Sequence, residues 1–587
     1  MPSSPYLDLL ENHIDITRVP FSDRGSRLLV FKHAEQDSLY IKLAERLTAI
    51  QPGLDTYRFR PAYIQDLSFV DGAGMPLSYH LTTYPHALLF QTRLGTFSMV
   101  FHLNDTVAVG LPPDTPCGLR FRVSTQMWQR SEDGGSLMAV RNLAYRTNGQ
   151  ILSNELSLER EAYVVELIVD GGEDIAIHLN IRSDLALDGR PHPFSETLIA
   201  AEKRWHAWFE RVPQVAERYR DHYYYAWWVM SNNLVEPLGQ IVHEAMMPSK
   251  MQYVGIWNWD ACFHALAFRH VDPELARNQL RTMLACQLAD GMIPDAVYDE
   301  AVVADIEHPL RAEVTKPPIM AWAALKLDET DPAPDFLEEV YIPLVRWNAW
   351  WFAMNDDDAD GLVQYNHPYS SGLDDSPLWD YGLPVESPDL NTYLCVQMGS
   401  LAMMAETLGM EAEGAMWRRR AAAIVRRMIE DCWDEEAGLF RALHDEKPIP
   451  VATPFNLYPL WSGQLPDEIR ARLIDHLTNP GEFWGQMAIP SVARSDPHYA
   501  PDTMWRGPIW VNINYIFVEA LRQVGEHALA NTLLHKTLEL IMNQPGVHEY
   551  YHAESGEPPP TAAEAFGWTA AVFIDLAIQA SRETENE

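Results

Sequence analysis

With 587 residues the chain exceeds the roughly 250–300 residues that one hydrophobic core organises, so at least two packed units are expected. A composition 47% hydrophobic and 21% charged is that of a globular protein, and a net charge of −38 excludes a nucleic-acid or anionic-membrane partner, which it would repel. Nineteen Trp, 24 Tyr and 20 Phe supply flat rings that either fill a large core or stack on the C–H faces of sugars.

The N-terminal Met1–Asp8 stretch has no basic segment followed by an apolar one, and no run of ~18 apolar residues occurs, which reads as a cytoplasmic protein without a membrane partner. From Ser26 to Ser183 the pattern has period two. Phe97, Met99, Phe101 and Leu103 share one face, as do Leu119, Phe121 and Val123 with arginines between them, and Ile175, Ile177, Leu179 and Ile181. Turn pairs such as Asp71-Gly72, Asn148-Gly149 and Gly171-Gly172 separate these runs, so residues 1–190 read as an antiparallel β-sandwich domain ending near Asp188–Pro193. Residues 191–217 read as a linker region carrying a helix from Ser195, its N-cap, to Phe209.

Residues 218–587 have helical period. One helix opens at Asp272-Pro273, carries Leu280, Met283, Leu284 and Leu288 on one face and stops at Asp290-Gly291. A second runs from Asp389 to Gly409, and a third carries Trp417, Ile424, Val425 and Met428. Similar acidic, Gly-containing turns follow helices at Asn355–Leu362 and Trp433–Leu439, and this repeating unit suggests an α/α barrel of helical hairpins. Some 370 residues hold roughly twelve helices of ordinary length. The turn Asp356–Gly361 matches the first half of a calcium loop but has His367 where the bidentate Glu belongs, so no metal is expected. Five cysteines, far apart and without C-x-x-C spacing, suggest neither a disulfide framework nor a zinc site.

Four loops combine carboxylates with aromatic residues and glycine. Gly255-Ile-Trp257-Asn-Trp259-Asp260 offers two rings as walls and Asp260 as an acceptor for sugar hydroxyls or as a helix cap. His367–Pro377 contains Gly372 and the adjacent Asp374 and Asp375, whose mutual repulsion would raise one pKa. Trp505-Arg506-Gly507-Pro508 offers a guanidinium to order a carboxylate and a peptide at Gly507 open to close approach by a ligand. His548–Gly556 contains Glu549. Hydrolysis of a glycosidic bond needs one carboxyl group to protonate the leaving oxygen and another to attack or to activate water, so these loops are where such a pair is sought.

In order along the helical region, Gly-Ile-Trp-Asn-Trp-Asp260, Asp-Gly-Met-Ile-Pro294, Thr-Lys-Pro-Pro318, Ser-Gly-Leu-Asp-Asp-Ser-Pro377, Ser-Pro-Asp-Leu-Asn391, Pro-Ser-Val-Ala-Arg494, Trp-Arg-Gly-Pro-Ile-Trp510, Glu-Tyr-Tyr551 and Phe-Gly-Trp-Thr569 resemble the loops of glycoside hydrolase family 63 and its relatives, the processing and bacterial α-glucosidases and the mannosylglycerate or glucosylglycerate hydrolases. The resemblance implies an (α/α)6 toroid, an inverting mechanism, Asp374 as general acid and Glu549 as general base, with no cofactor. It implies that Trp257, Trp259, Asp260, Lys316, Asp375, Trp505, Arg506, Gly507 and Trp568 surround a small carbohydrate substrate. Ser370-Ser371 stand where the family often has Glu before Ser-Gly, and Val547-His548 where aromatic residues commonly precede the base.

The first expectation is therefore an exo-acting α-glucosidase working on a disaccharide or short oligosaccharide. The alternative is a hydrolase of α-glucosyl- or α-mannosylglycerate, with Lys316 or Arg506 receiving the glycerate carboxylate. A non-hydrolytic carbohydrate-binding protein is the reading of another class.

Overall fold

The computed structural model describes residues 4–48, 56–125, 127–159, 162–182 and 191–586, so Asp188, Gly189 and Arg190 of the expected boundary lie outside the described residues. The chain forms two compact units. One comprises residues 1–212, 227–236 and 250–254, the other 213–226, 237–249 and 255–587.

The first unit begins with helix α1 (Pro5–Leu9) and continues as strands β1 (Leu28–Lys32), β2 (Leu39–Leu43), β3 (Ile64–Asp71), β4 (His80–Thr83), β5 (Leu88–Thr92), β6 (Gly95–Leu103), β7 (Thr106–Gly110), β8 (Cys117–Val123), β9 (Met127–Ser131), β10 (Gly134–Met138), β11 (Asn142–Thr147), β12 (Ile151–Glu159), β13 (Ala162–Val169) and β14 (Ala176–Arg182). They pair antiparallel in two sheets, ordered β1-β2-β3-β8-β13-β12 and β4-β5-β6-β7-β14-β11-β10-β9. Alternation decides which side chains point inward: on β8, Leu119, Phe121 and Val123 are buried while Arg120 and Arg122 are not. The sheets meet through rings, Phe69 of β3 lying 4.7 Å from Phe90 and 4.5 Å from Phe97 between centroids. Leu103 departs from its expected face. It ends β6 beyond a register irregularity between Phe101 and Leu103, which breaks the alternation, and is exposed.

Helix α2 (Phe194–Glu210) belongs to this unit. Phe194 and Ala201 pack on Val100, Ala108 and Ala176 from β6, β7 and β14, which is why β14 is buried on both faces rather than alternating. The helix begins one residue before the expected start. Ser195 is not its cap, because Asp174 engages it first: Ser195 Oγ donates to the Asp174 carboxylate at 2.6 Å and its N–H at 2.7 Å.

Helix α3 (Arg220–Asn232) crosses the division between units, and the second unit carries α4 (Asn258–Phe268), α5 (Pro273–Leu284), α6 (Met320–Thr330), α7 (Pro334–Met354), α8 (Pro388–Thr407), α9 (Glu411–Asp431), α10 (Asp467–Leu477), α11 (Val511–Gln523), α12 (His527–Met542) and α13 (Gly567–Asn586). Asp272 caps α5 as expected, accepting from Leu275 N at 3.1 Å, but the helix ends at Leu284 and turns carry the chain on to Gly291.

Two kinds of helix alternate. Every residue of α4 is buried, and α8 and α11 are nearly as apolar all round. In α9 the buried residues form one stripe, among them Trp417, Ala421, Ile424, Val425 and Met428. The first kind must be enclosed by neighbours and the second must face solvent. The packing agrees: α4 lies against α6, α6 against α8, α8 against the 3-10 segment Pro454–Ser462, that segment against α11, α11 against α13, and α13 back against α4. Around this closed cycle α5, α7, α9, α10 and α12 each lie against one or two of its members.

Candidate active site

The singled-out residues of the second unit sit at corresponding places in the chain, just ahead of or within the first turn of a helix of the cycle. Trp257, Trp259 and Asp260 open α4, Lys316 precedes α6, Asp374 and Asp375 lie on the segment leading to α8, Trp505–Gly507 precede α11, and Glu549 and Trp568 flank the start of α13. Residues more than 300 positions apart, such as Trp259 and Trp568, thereby reach one cluster.

Lys316 is its electrostatic centre. The side chain is buried, with Nζ 2.9 Å from Asp295 Oδ1 and donating at 2.6 Å to the carbonyl of Tyr369 on the acid-bearing segment. Burial by itself would lower its pKa, but Asp295, Asp374 and Asp260 together raise it, so the ammonium keeps its charge. Asp260 is fully buried and its pKa is pushed up to about 8, first by burial and further by the charges of Glu549 and Asp295, against the pull of Lys316. Burial likewise raises Asp295, with Lys316 opposing. A chain of neighbouring ionisable groups thus runs from Asp374 through Lys316 and the largely protonated Asp260 to Glu549.

Glu549 is 3% exposed and its backbone is fixed by Ala563, whose carbonyl accepts from Glu549 N at 2.9 Å. The Ala563 N–H donates to Glu549 Oε2 at 3.1 Å, and Trp568 Nε1 donates to the Glu549 carbonyl at 3.2 Å. Neighbouring His548 donates its backbone N–H to Tyr551 Oη and accepts from Thr569 Oγ1 at its carbonyl.

Asp374 and Asp375 are the two central residues of a turn closed by Ser376 N–H donating to the Leu373 carbonyl at 3.0 Å. Gly372 lets this turn lie flat on an indole: its φ is +74°, and a Cβ there would sit 2.5 Å from the Trp259 ring. Beside it, Trp505 stacks on Trp510 with centroids 3.6 Å apart, Trp259 stands edge-on to Trp568 at 5.6 Å, and Trp257 packs edge-on to Tyr298. The requirement for glycine at position 507 comes from the chain itself, since a Cβ would meet the Ala500 carbonyl at 2.6 Å.

Both cations proposed for a substrate carboxylate already face carboxylates of the protein: Lys316 meets Asp295, and Arg506 makes a two-pronged contact of 2.8 and 2.6 Å with Asp380. Asp295, Asp380 and Trp510 were not singled out from sequence. Asp295 directly follows the Asp-Gly-Met-Ile-Pro294 segment, and Trp510 ends another, so adjacency was the available signal. Away from this cluster, the carboxylate oxygens of Asp356, Asp358 and Asp360 come within 4.8 Å of one another, and Asp360 also meets Arg427 at 3.0 Å.

Residues 253–569 match the family described as mannosylglycerate hydrolase MGH1-like glycoside hydrolase domain. A mannosylglycerate hydrolase from Thermus thermophilus is 29% identical, over 56% of this chain and 95% of that protein. The crystal structure of a family 63 mannosylglycerate hydrolase, also from Thermus thermophilus, in complex with glucose superposes with a TM-score of 0.52 at 25% identity, covering 60% of this chain and 99% of the other. A bacterial glucoamylase complexed with acarbose, 10% identical, shares the fold over 98% of this chain and 95% of its own, with a TM-score of 0.56. A β-rich unit joined to a helical one, with paired carboxylates among tryptophans in the helical part, is here that of a glycoside hydrolase. The chain belongs to the mannosylglycerate hydrolase MGH1-like group of glycoside hydrolase family 63, which sets the non-hydrolytic reading aside. Among the described residues no helix is long and apolar enough to cross a membrane.

Proposed function

We propose that the protein is an inverting α-glycosidase that hydrolyses α-mannosylglycerate or α-glucosylglycerate in the mouth of an (α/α)6 toroid formed by its helical unit. Asp374 protonates the glycosidic oxygen as glycerate leaves. Glu549 removes a proton from a water that attacks the anomeric carbon from the opposite face. Trp257, Trp259, Trp505 and Trp568 wall the pocket, and Asp260, Lys316, Arg506 and Gly507 complete it. The carrying observation is that Asp374 and Glu549, 175 positions apart, are brought to one cluster of tryptophans around Lys316 and Asp260. The family description supports the glycerate leaving group, and this reading replaces the oligosaccharide α-glucosidase as the first expectation. One observation favours the oligosaccharide reading as a second: Lys316 and Arg506 are both matched by protein carboxylates, an arrangement suited to a neutral leaving group.

The test is a substrate panel of α-mannosylglycerate, α-glucosylglycerate, kojibiose, nigerose, maltose and trehalose, with proton NMR of the first sugar released. The β-anomer from a glycerate glycoside is expected; the α-anomer overturns inversion, and turnover of the disaccharides alone moves the assignment to the second reading. Asp374→Asn and Glu549→Gln should each lower kcat by about 100-fold or more while substrate still binds. Full activity in either removes the pair.

A further inference from the structure

Asp375 reads at first as a sugar contact, since it adjoins the acid in sequence. Its hydrogen bond says otherwise. Its Oδ1 accepts the backbone N–H of Trp505 at 2.8 Å, tying the acid turn to a distant loop. That loop returns a second tie, the fork from Arg506 to Asp380 five residues further along the same segment. A third point is held from within, Trp379 Nε1 donating to the Leu373 carbonyl at 2.6 Å. The turn Leu373–Ser376 is thus anchored at its first residue by an indole and at its third by a backbone amide. Asp374, its second residue, lies between these anchors with the turn resting on Trp259.

From this geometry we infer that Asp375 is a positioning residue for the general acid: by holding the Trp505 N–H it sets where Asp374 stands relative to the leaving oxygen, and it does not bind the sugar. The inference rests on the proposed role of Asp374. Its second effect is electrostatic. A carboxylate one residue from the acid disfavours ionisation of Asp374 and so helps the acid keep its proton. Among the described residues the charged or titratable groups facing this stretch include Lys316 on the Asp374 side, Arg506 with Asp380 on the Asp375 side and His498 beyond Asp380, with the neutral phenol of Tyr550 nearby.

The two effects separate by substitution, because Asp375→Asn keeps an oxygen to accept from Trp505 and removes the charge, whereas Asp375→Ala removes both. The measurement is kcat and KM against pH, on α-mannosylglycerate or α-glucosylglycerate and on the matching 4-nitrophenyl α-glycoside, whose departing phenolate needs little protonation. Asp375→Ala should lose about tenfold or more in kcat on the glycerate glycoside with KM within about twofold, and much less on the nitrophenyl glycoside. Asp375→Asn should keep plateau kcat within about threefold, with the alkaline limb of its pH profile moved to lower pH. Wild-type behaviour of both variants overturns the inference, as does an equal loss on both leaving groups or a KM that rises in both variants as a lost sugar contact would require. Should the alanine variant not fold by circular dichroism, Asp375→Glu takes its place: it keeps the charge and misplaces the acceptor, so kcat on the glycerate glycoside should fall with KM and the alkaline limb unmoved, and wild-type kcat overturns the positioning role. Asp374→Asn run alongside separates the cases: if it stays active the acid assignment fails, and if it is inactive while Asp375 variants are unaffected only the positioning role fails.

Discussion

Lys316 serves three carboxylates at once, and that sharing is what a point substitution exposes. Lys316→Met would leave Asp295 buried without its cation, a loss of about 3–5 kcal/mol by analogy with one-sided removal of buried pairs, read from the urea midpoint at pH 7. Asp260 gives the opposite kind of signal. Its folded pKa of about 8 lies above the ordinary carboxyl value, so the folded protein holds a proton that the unfolded chain releases. The stability it contributes is complete below about pH 4 and is lost as pH rises through 8. Asp260→Asn should therefore flatten the fall in thermal midpoint between pH 5 and pH 8 compared with the parent; an unchanged slope would mean Asp260 titrates normally. At this scale the sequence was legible where a residue type is rare in its setting, as with the tryptophans and the Asp374-Asp375 pair. It was silent on Asp295 and Asp380, since an aspartate that will be paired across the fold has the same local pattern as one in a solvated turn.

Among elements, α4, α11 and α13 are joined by a buried polar knot. Asp575 of α13 accepts from Arg269 at 2.8 Å and from Tyr515 of α11 at 2.8 Å, and meets His270 at 2.7 Å. Despite complete burial these partners hold its pKa well below the ordinary carboxyl range, so it stays ionised. Asp575→Ala would strand a buried guanidinium and should cost about 3–5 kcal/mol, with the melting temperature falling by several degrees; a neutral result would show that Arg269 finds another acceptor. Helices of the outer kind were readable from sequence because a single apolar stripe has a period, as in α9 with Trp417, Ile424, Val425 and Met428. Helices buried all round give no such contrast. The ends of strands and helices misled for local reasons: Leu103 follows an irregularity in the pairing of its strand, α5 stops six residues before its expected stop signal at Asp290, and Ser195 is engaged by an aspartate that only the folded β unit brings near.

At the scale of the whole molecule, the charge of −38 acts on whatever approaches. A glycerate glycoside is an anion and a disaccharide is neutral, so raising salt from about 10 to 150 mM should increase kcat/KM severalfold for the first by screening repulsion and leave the second unchanged. Equal responses would place the entrance outside the protein's overall field. The matching family model spans residues 253–569, almost all of them in the helical unit, in keeping with loop motifs that were recognisable only beyond Gly255. The contact of α13 with α4 also sets a clock. About 300 residues separate the end of α4 at Phe268 from the start of α13 at Gly567, so at roughly 5–20 residues per second a ribosome spends about 15–60 s with α4 emerged and its partner unmade. Throughout that interval the apolar flank of α4 has no permanent neighbour on that side, and Arg269 at its end waits for Asp575. Helix α13 thus completes both the cover of α4 and, through Trp568, the setting of Glu549.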